Sequence, residues 1–351
     1  MLRDIEEKVR AGRRLSFEDG VRLMRTGDLF ALGRMADSVR RGRHGRRAHY
    51  VRNAHLNYSN VCRNDCDFCG FRRRPGEEGA WTLSLEEVLR RAERLGADGL
   101  DELHVVGGVH PELPYDYYPR LLRGLRERYP RLHLKAFTAV EIDGMARISG
   151  REVPRVLEEL RAAGLGSLPG GGAEIFSERL RRRHCPAKPG PDRWLEIHRA
   201  WHRMGGRSTA TMLYGWGETD EERVEHMLRL RALQDETGGF TAFIPLAFQP
   251  GRGAAAGPTA RLDLQVHAAA RLLLDNIDHL KAYWVMTGLK MAQVLLSFGA
   301  DDLDGTVGEE RVAHMAGAGS PPGVGEEELR ALIREAGYEP VRRDSLYRSL
   351  E

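Results

Sequence analysis

Three cysteines in the first quarter of the chain are the residues with the clearest chemical potential. Cys62, Cys66 and Cys69 have the spacing C-x3-C-x2-C, which can bring three thiolates to one point. Soft thiolates select an iron-sulfur cluster or zinc over hard cations. A structural zinc site needs a fourth ligand nearby, and about the next hundred residues contain no second C-x2-C and no H-x3-H. The spacing therefore favours a cluster with one open position over zinc, over a disulfide with a spare thiol and over three unrelated cysteines.

Glycine-rich segments are the second chemical feature. Gly107-Gly108 follows an apolar run, and so does the segment Gly170-Gly171-Gly172-Ala173-Glu174. Glycines have no Cβ, so the backbone at these points can approach a ligand closely. Glu174 adds a carboxylate that can accept hydrogen bonds from hydroxyl or ammonium groups. The alternatives are a tight turn for the glycine pair, and a glycine loop with Glu174 at the start of a helix for the longer segment.

The elements that must position these residues alternate between short strands and amphipathic helices from His49 onward. Strands are predicted at 49–57, 102–107, 132–138, 166–169, 208–214, 240–247, 282–286 and 301–304. Helices are predicted at 84–95, 115–128, 152–163, 191–204, 219–235 and 261–275. This order predicts an α/β fold, a (β/α)8 TIM-type barrel over residues 46–351 with a C-terminal extension, preceded by an N-terminal helical extension at 1–45. A barrel carries its chemistry on the loops after its strands, which is where the cysteines and glycines fall.

The remaining cysteine and a histidine pair are weaker candidates for ligands. Cys185 is interpreted as an ordinary small residue, with a fourth ligand or a separate thiol site as alternatives. His198 and His202 form the chain's H-x3-H pair, which places both rings on one face of a helix. That helix precedes the fifth predicted strand and so belongs to the outer ring of the barrel. A role on the helix surface is favoured over metal binding.

Composition limits the classes of partner. The 351 residues are 41% hydrophobic and 30% charged, with a net charge of +3. Arginines alternate with acids, as in residues 155–161, which is typical of solvated helix faces and not of a nucleic-acid groove. The basic run at 40–47 is interpreted as a charged link into the first strand. With no membrane-spanning run and no signal peptide, we expect a cytoplasmic protein with no nucleic-acid or membrane partner, in a compartment that keeps thiols reduced.

The cysteine run, the aromatic residue before its third cysteine and the glycine pair together resemble the radical S-adenosylmethionine (SAM) superfamily. The resemblance implies a 4Fe-4S cluster held by the three cysteines, with SAM bound to its open iron. It also implies cofactor-binding roles for Phe68, Gly107, Gly108, Gly171, Gly172, Glu174 and Tyr214. Phe68 and the Tyr214 strand would lie beside the adenine, and the glycine pair would meet the methionine end of SAM.

Four longer segments, 134–142, 167–177, 208–215 and 234–248, narrow the resemblance to the aminofutalosine synthase family of the futalosine route to menaquinone. The cyclic dehypoxanthinylfutalosine cyclases and the deazaflavin-precursor synthases are similar relatives. The resemblance implies addition of a SAM-derived 5′-deoxyadenosyl radical to the enol ether 3-[(1-carboxyvinyl)oxy]benzoate, followed by rearrangement and decarboxylation. It also implies an electron donor such as flavodoxin or ferredoxin.

The substrate that this resemblance implies carries two carboxylates. Arg72, Arg73 and Arg252 are positional candidates to hold them, each with a solvated loop residue as the alternative. The segment 299–306 is either a substrate-facing segment or an acidic loop. The chain departs from the family pattern at Val109, where an acid is usual, and at Trp216 and Gln249, where histidine is common. No residue is assigned to proton transfer.

Overall fold

The structure is a computed structural model, and it describes residues 2–251 and 257–350. The strands are β1 Arg47–Val51, β2 Asn53–Asn57, β3 Glu102–Val106, β4 His133–Ala136, β5 Ser167–Leu168, β6 Arg207–Tyr214, β7 Phe240–Ala247, β8 His279–Leu280, β9 Asp302–Gly305 and β10 Glu339–Arg342. The helices up to the middle of the chain are α1 Arg3–Arg10, α2 Phe17–Arg25, α3 Leu29–His44, α4 Leu85–Arg94, α5 Tyr117–Arg128, α6 Ala139–Ser149, α7 Val153–Ala162 and α8 Glu178–His184. The later helices are α9 Pro191–Arg203, α10 Asp220–Thr237, α11 Ala260–Leu273, α12 Trp284–Thr287, α13 Leu289–Leu295, α14 Val312–Met315 and α15 Glu326–Glu335.

Seven parallel strands, β2 to β8 in chain order, form one curved sheet. The segment 301–308, which contains β9, hydrogen-bonds to both edges of that sheet. Ala282 N donates to Asp302 O at 2.8 Å on the β8 side, and His55 N donates to Gly308 O at 2.8 Å on the β2 side. A second sheet of β10, β1 and β9 extends one end of the same wall. The predicted parallel barrel is thereby confirmed.

Local sequence signals account for most of the helix boundaries. Ser16 with Asp19 and Ser84 with Glu87 form capping boxes, in which each serine side chain accepts a hydrogen bond from the backbone N–H three residues later. All six predicted helices are present within two residues of the predicted ends. Helix α6 begins with a third capping box, Thr138 with Glu141. Local chemistry therefore determines where these helices start.

Two predicted strands differ from the structure. The strand predicted at 49–57 is divided into β1 and β2, which belong to different sheets. The seventh predicted strand, 282–286, is wrong: the short strand β8 lies at His279–Leu280, and residues 284–287 form helix α12. Both Trp284 and Val285 are almost fully buried. A short apolar run has the same appearance in a buried strand and in a buried helix, so its hydrophobicity could not distinguish them.

The N-terminal helices pack on the barrel's helical ring. Helix α3 lies against α11, and α2 lies against α10 and α11. The basic run at 40–47 is only partly the charged link that we expected, because Arg40 is fully buried. Its guanidinium donates to the carbonyls of Gly45 at 2.8 Å and Ala300 at 3.3 Å. The division of the chain at residue 45 stays a prediction.

No helix among the described residues is both long enough and apolar enough to cross a bilayer.

Candidate functional site

A cavity of about 320 Å³ lies where the parallel strands of the barrel end. Its lining comes from strands β2, β3 and β4, from the loops after β2 to β5, from β6 and β7, and from β9 and the segments after β8 and β9. Nine of the ten residues predicted as metal ligands or cofactor contacts line it: Cys62, Cys66, Phe68, Cys69, Gly107, Gly108, Gly171, Gly172 and Glu174. The arrangement agrees with the rule that barrel chemistry collects at this end of the strands.

The cysteine loop leaves β2 and is held by hydrogen bonds to its own return segment. Cys62 N donates to Arg73 O at 2.9 Å, and Cys69 N donates to Cys66 O at 3.3 Å. On the other side, the Asp67 carboxylate lies 2.7 Å from His184 Nδ1 at the end of α8. None of the three cysteines forms a disulfide. The loop therefore presents three free thiols to one cavity.

The environment of these thiols fits a metal cluster. Burial raises the pKa of the Cys62 thiol, and it raises the pKa of Cys66 to about 12. A bound cation would deprotonate thiols that the protein alone keeps neutral. Cys62 Sγ accepts a hydrogen bond from Val109 N at 3.4 Å, a contact of the kind that tunes cluster sulfur ligands. Among the described residues on the cavity wall there is no fourth cysteine, so one coordination position would stay open.

The glycine pair after β3 is required by the packing of the cysteine loop. A Cβ on Gly108 would lie 2.2 Å from the carbonyl oxygen of Val61, and one on Gly107 would lie 2.7 Å from the Tyr58 ring. Both positions also line the cavity. We expected a ligand to approach these glycines closely, but the space beside them is occupied by Tyr58 and Val61 of the protein itself. The glycines hold the cysteine loop against β3.

The second glycine segment places a partly buried ion pair on the cavity wall. Gly172 has φ +84, and a Cβ there would lie 2.3 Å from Val140 Cγ2. The Glu174 carboxylate pairs with the ammonium of Lys188. Burial lowers the pKa of Lys188, but the charge and hydrogen bond of Glu174, together with Cys66 and Cys185, raise the pKa above its usual value. Lys188 had no predicted role, because no motif in the sequence connects it to Glu174.

Phe68 forms one side of an aromatic wall. Its ring meets Trp216 edge-on with a centroid distance of 5.1 Å, and Lys188 Nζ lies 5.3 Å from its centroid. Trp216 also stacks on Phe248, which lines the cavity. Trp216 packs against Phe68 and is not among the described residues that line the cavity. A tryptophan at this position therefore supports the ring that faces the cavity.

Tyr214 is the predicted contact that the structure does not bring to the cavity. Its side chain is fully buried, and its hydroxyl donates to Asp263 Oδ1 in α11 at 2.7 Å. Alternate residues of a strand face opposite sides of a sheet. The neighbouring Leu213 is the residue of this strand end that lines the cavity.

Glu141 is a cavity residue that the sequence analysis missed. Its carboxylate accepts hydrogen bonds from Gly107 N at 3.0 Å, Thr138 N at 2.8 Å and the Tyr58 hydroxyl at 2.8 Å. Burial raises its pKa to about 7 in spite of these donors. The capping-box pattern that starts at Thr138 was the signal that could have identified it. Glu141 connects the glycine pair to helix α6.

The residues proposed to hold substrate carboxylates have different positions. Arg72 lines the cavity, whereas Arg73 donates to the carbonyls of Gly70 and Arg72 within its own loop. Arg252 lies outside the described residues. Gln249 lines the cavity, and its amide donates to Ala247 O at 2.9 Å. In the segment 299–306, only Asp304 lines the cavity.

The weaker ligand candidates of the sequence, His198, His202 and Cys185, are all buried inside the protein. The surface role expected for His198 and His202 is wrong, because both rings face inward and contact the Ser208 hydroxyl at 2.9 and 2.7 Å. Helix α9 belongs to the outer ring, but this face packs on β6. Cys185 is 1% exposed and is absent from the described cavity lining, as expected of an ordinary small residue.

Two family models match the chain. The first, described as the radical SAM superfamily, matches residues 56–230, and the second, described as the CofH/MqnC C-terminal region, matches residues 237–351. Curated relatives align over almost the whole chain. An aminodeoxyfutalosine synthase of Thermus thermophilus is 47% identical, covering 99% of this chain and 95% of the relative, and one of Streptomyces coelicolor is 44% identical, covering 99% and 94%.

Relatives with other names are less similar. A 5-amino-6-(D-ribitylamino)uracil–L-tyrosine 4-hydroxyphenyl transferase of Methanopyrus kandleri is 39% identical, covering 91% of this chain and 89% of the relative. A cyclic dehypoxanthine futalosine synthase of Streptomyces coelicolor is 38% identical, covering 99% and 89%. Among solved structures, the hydrogenase maturase HydG of Carboxydothermus hydrogenoformans aligns with a TM-score of 0.76 at 18% identity, covering 99% of this chain and 80% of that one. Methylornithine synthase has the same TM-score and identity, covering 96% and 97%. These structures support the fold.

Proposed function

The chain belongs to the radical SAM superfamily and to its CofH/MqnC family, and from this premise we propose that it is an aminodeoxyfutalosine synthase. The family implies a 4Fe-4S cluster and SAM as cofactors. The observation that carries the finer proposal is the near full-length identity of 47% and 44% to two such synthases, against 37% to 40% to relatives named for other reactions.

In this proposal, Cys62, Cys66 and Cys69 hold the cluster at the cavity wall. When bound, the cluster supplies the electron that cleaves SAM reductively. The Val109 amide hydrogen-bonds to Cys62 Sγ, so the loop after β3 shapes the environment of the cluster. Glu141 fixes that loop through Gly107 N. The loops after β2 and β3 thus form one unit.

Phe68 and the Glu174–Lys188 pair are proposed to contact SAM. Phe68 offers an aromatic face or edge to the adenine, and the Glu174 carboxylate lies beside it in its pair with Lys188. An ionised carboxylate can accept hydrogen bonds from ribose hydroxyls or from the SAM ammonium. The mainly apolar lining of the cavity would limit the access of water to the reacting vinyl carbon, which protects a reactive intermediate from side reactions.

The partners follow from the reaction. We expect a one-electron donor such as flavodoxin or ferredoxin, and a small aryl enol ether dicarboxylate as substrate. No nucleic-acid or membrane partner is proposed, and a reducing cytoplasm suits a chain whose four cysteines are all free.

The proposal is tested by anaerobic turnover of the reconstituted enzyme with SAM labelled in its ribose carbons and with 3-[(1-carboxyvinyl)oxy]benzoate. We expect the label to appear in aminodeoxyfutalosine. Release of free 5′-deoxyadenosine as the sole labelled nucleoside would contradict the synthase. Turnover of dehypoxanthinylfutalosine with that same release would assign the cyclase reaction instead.

A further inference from the structure

The floor of the cavity is built from four polar side chains, three of which lie on adjacent strands. His55 on β2 pairs in register with His104 on β3, and His104 pairs with Lys135 on β4. All three line the cavity. A fourth polar residue, Lys281, follows β8 and lines the cavity as well. These four residues, the cavity floor, belong to neither the cysteine loop nor the glycine segments.

The cavity floor lies well below the cysteine loop. His55 and His104 are each the third residue of a five-residue strand, so each lies two residues before the strand end. At about 3.3 Å per residue, this corresponds to roughly 6 to 7 Å below the level at which the loops begin. That depth is comparable with the length of a substituted benzene ring. A ligand whose one end reacts beside the cysteines can therefore place its other end on the floor.

The two histidine rings have no protein partner for their ring nitrogens. They stack on each other, with centroids 4.5 Å apart and an interplanar angle of 27°. Among the described residues, no group donates a hydrogen bond to either ring or accepts one from it. Burial lowers the pKa of both histidines, that of His104 most strongly, so each ring is neutral and carries one N–H donor and one acceptor nitrogen. Two unused donors in a buried site indicate a ligand.

The lysines also have spare donors. Lys135 Nζ donates to Glu102 Oε1 at 2.6 Å, and Lys281 pairs with Asp304. An ammonium group has three N–H donors, and each of these uses one on a described protein group. The charges of Lys135 and Lys281 are balanced by Glu102 and Asp304. Glu310, a third carboxylate on the cavity lining, pairs with His314. The floor has more free donors than free acceptors, and that excess suits a group with acceptor oxygens only.

From this arrangement we propose that the cavity floor binds the carboxylate of an aromatic acid, with the His55–His104 pair as its main hydrogen-bond donors. A carboxylate brings two acceptor oxygens and no donor, which matches the unused N–H groups. Above the floor, Ile244 and Leu246 provide an apolar wall for the ring. The inference rests on the proposed function, because it assigns this position to the benzoate end of the substrate and the vinyl end to the cysteine side.

The binding test uses reconstituted wild-type holoenzyme and two probes, 3-hydroxybenzoate and 3-hydroxybenzamide. Both have the same shape, but only the acid has a carboxylate. Anaerobic calorimetry should show the acid binding at least about tenfold more tightly than the amide. This arm needs no variant and no turnover. Equal affinities, or tighter binding of the amide, would overturn the proposal.

The variant test compares His104→Phe with His133→Phe. The first keeps a ring for stacking and removes the N–H donor. The second changes a histidine two residues before Lys135 that is absent from the described cavity lining and bonds to Ser167 at 2.8 Å. His104→Phe should remove the preference for the acid and raise KM for the enol ether about tenfold, with kcat much less affected. Unchanged probe selectivity in a folded His104→Phe protein would overturn the assignment.

The two proposals fail in different ways. If the enol ether is not turned over but the acid still binds through His104, the synthase proposal fails and the floor remains a carboxylate site. If aminodeoxyfutalosine forms while acid and amide bind equally, the synthase stands and the floor assignment fails.

Discussion

The two ends of the barrel hold their polar groups in opposite ways. At the cavity end, thiols and imidazoles face open space with few protein partners. At the other end, charged side chains pair with each other: Arg271 with Asp301, and Arg343 with Asp302 at 2.6 Å. All four of these side chains are 2% exposed or less. Removing one partner of a buried charge pair is costly to a fold, whereas polar groups that face a cavity without protein partners can take up a ligand.

A histidine cluster lies at the end of the barrel opposite the cavity, which we call the paired end because its charged side chains pair with each other. His44, His49 and His279 surround Asp301, and their potential ligand atoms lie within 4.8 Å of one another. This spacing would suit a metal ion, but the Asp301 carboxylate already pairs with Arg271 and lies 2.6 Å from His279 Nδ1. A dication would add charge beside a buried guanidinium. We therefore interpret this cluster as structural, unlike the cysteines at the other end.

The largest expected effect is on the cysteines. Alanine at Cys62, Cys66 or Cys69 should remove bound iron and lower turnover by at least about three orders of magnitude, because ligands that act as a unit fail together. Cys185→Ala is the matched control, since it is a buried cysteine away from the described cavity lining. It should keep its iron and most of its turnover, measured by the anaerobic assay. Full activity in any of the three variants would break the comparison.

The next effect is on stability at the paired end. Arg271→Met leaves the Asp301 carboxylate buried without its main partner and should lower the free energy of unfolding by about 3 to 5 kcal/mol. At a temperature where the variant is still folded, turnover should stay close to that of the wild type. The control is Arg10→Ala, which removes an exposed pair with Glu6 and should have no measurable effect. A thermal unfolding series checks both.

A smaller effect is expected from Gly108→Ala. Its Cβ would lie 2.2 Å from the Val61 carbonyl, so the cysteine loop must move. We expect SAM to bind about tenfold more weakly while the barrel stays folded. Gly99→Ala introduces a Cβ with no atom within 4 Å and should bind SAM normally. If both variants bind SAM equally well, the loop does not depend on the glycine.

The smallest effect concerns the proton on Glu141. Burial raises its pKa to about 7, so the protonated form should disappear as the pH rises through 7. The stability that this protonated carboxyl contributes is complete below its usual pKa of 4.5 and is lost as the pH rises from there through about 7. Infrared difference spectra between pH 6 and 8 should show the carboxylic acid band decreasing in the wild type. The band should be absent from Glu141→Gln, and a wild-type spectrum without change would contradict the raised pKa.

The sequence was sufficient for features that depend on local chemistry. Capping boxes such as Ser84 with Glu87 fix helix starts within a few residues, and strands followed by glycines place loops at one end of a parallel barrel. The spacing of the three cysteines was enough to predict that they share one site. The same reasoning predicted most of the cavity wall.

It was not sufficient where the direction of a side chain or a distant partner decides the outcome. Tyr214 points to Asp263 because of strand register, and Lys188 meets Glu174 only after the chain between them folds back. Arg40 looked like part of a solvated basic run, yet it is buried against backbone carbonyls. The floor pair His55 and His104 lies on two strands separated by a helix. No local pattern connects such residues.

The most direct test of the difference between the two ends is the metal content of anaerobically purified protein, combined with electron paramagnetic resonance of the reduced state. We predict about four iron and four sulfide per chain, as a 4Fe-4S cluster requires. The resonance should change when SAM is added, and both iron and signal should be lost when Cys62, Cys66 and Cys69 are replaced together. Stoichiometric zinc without iron, or iron retained in that triple variant, would contradict the account.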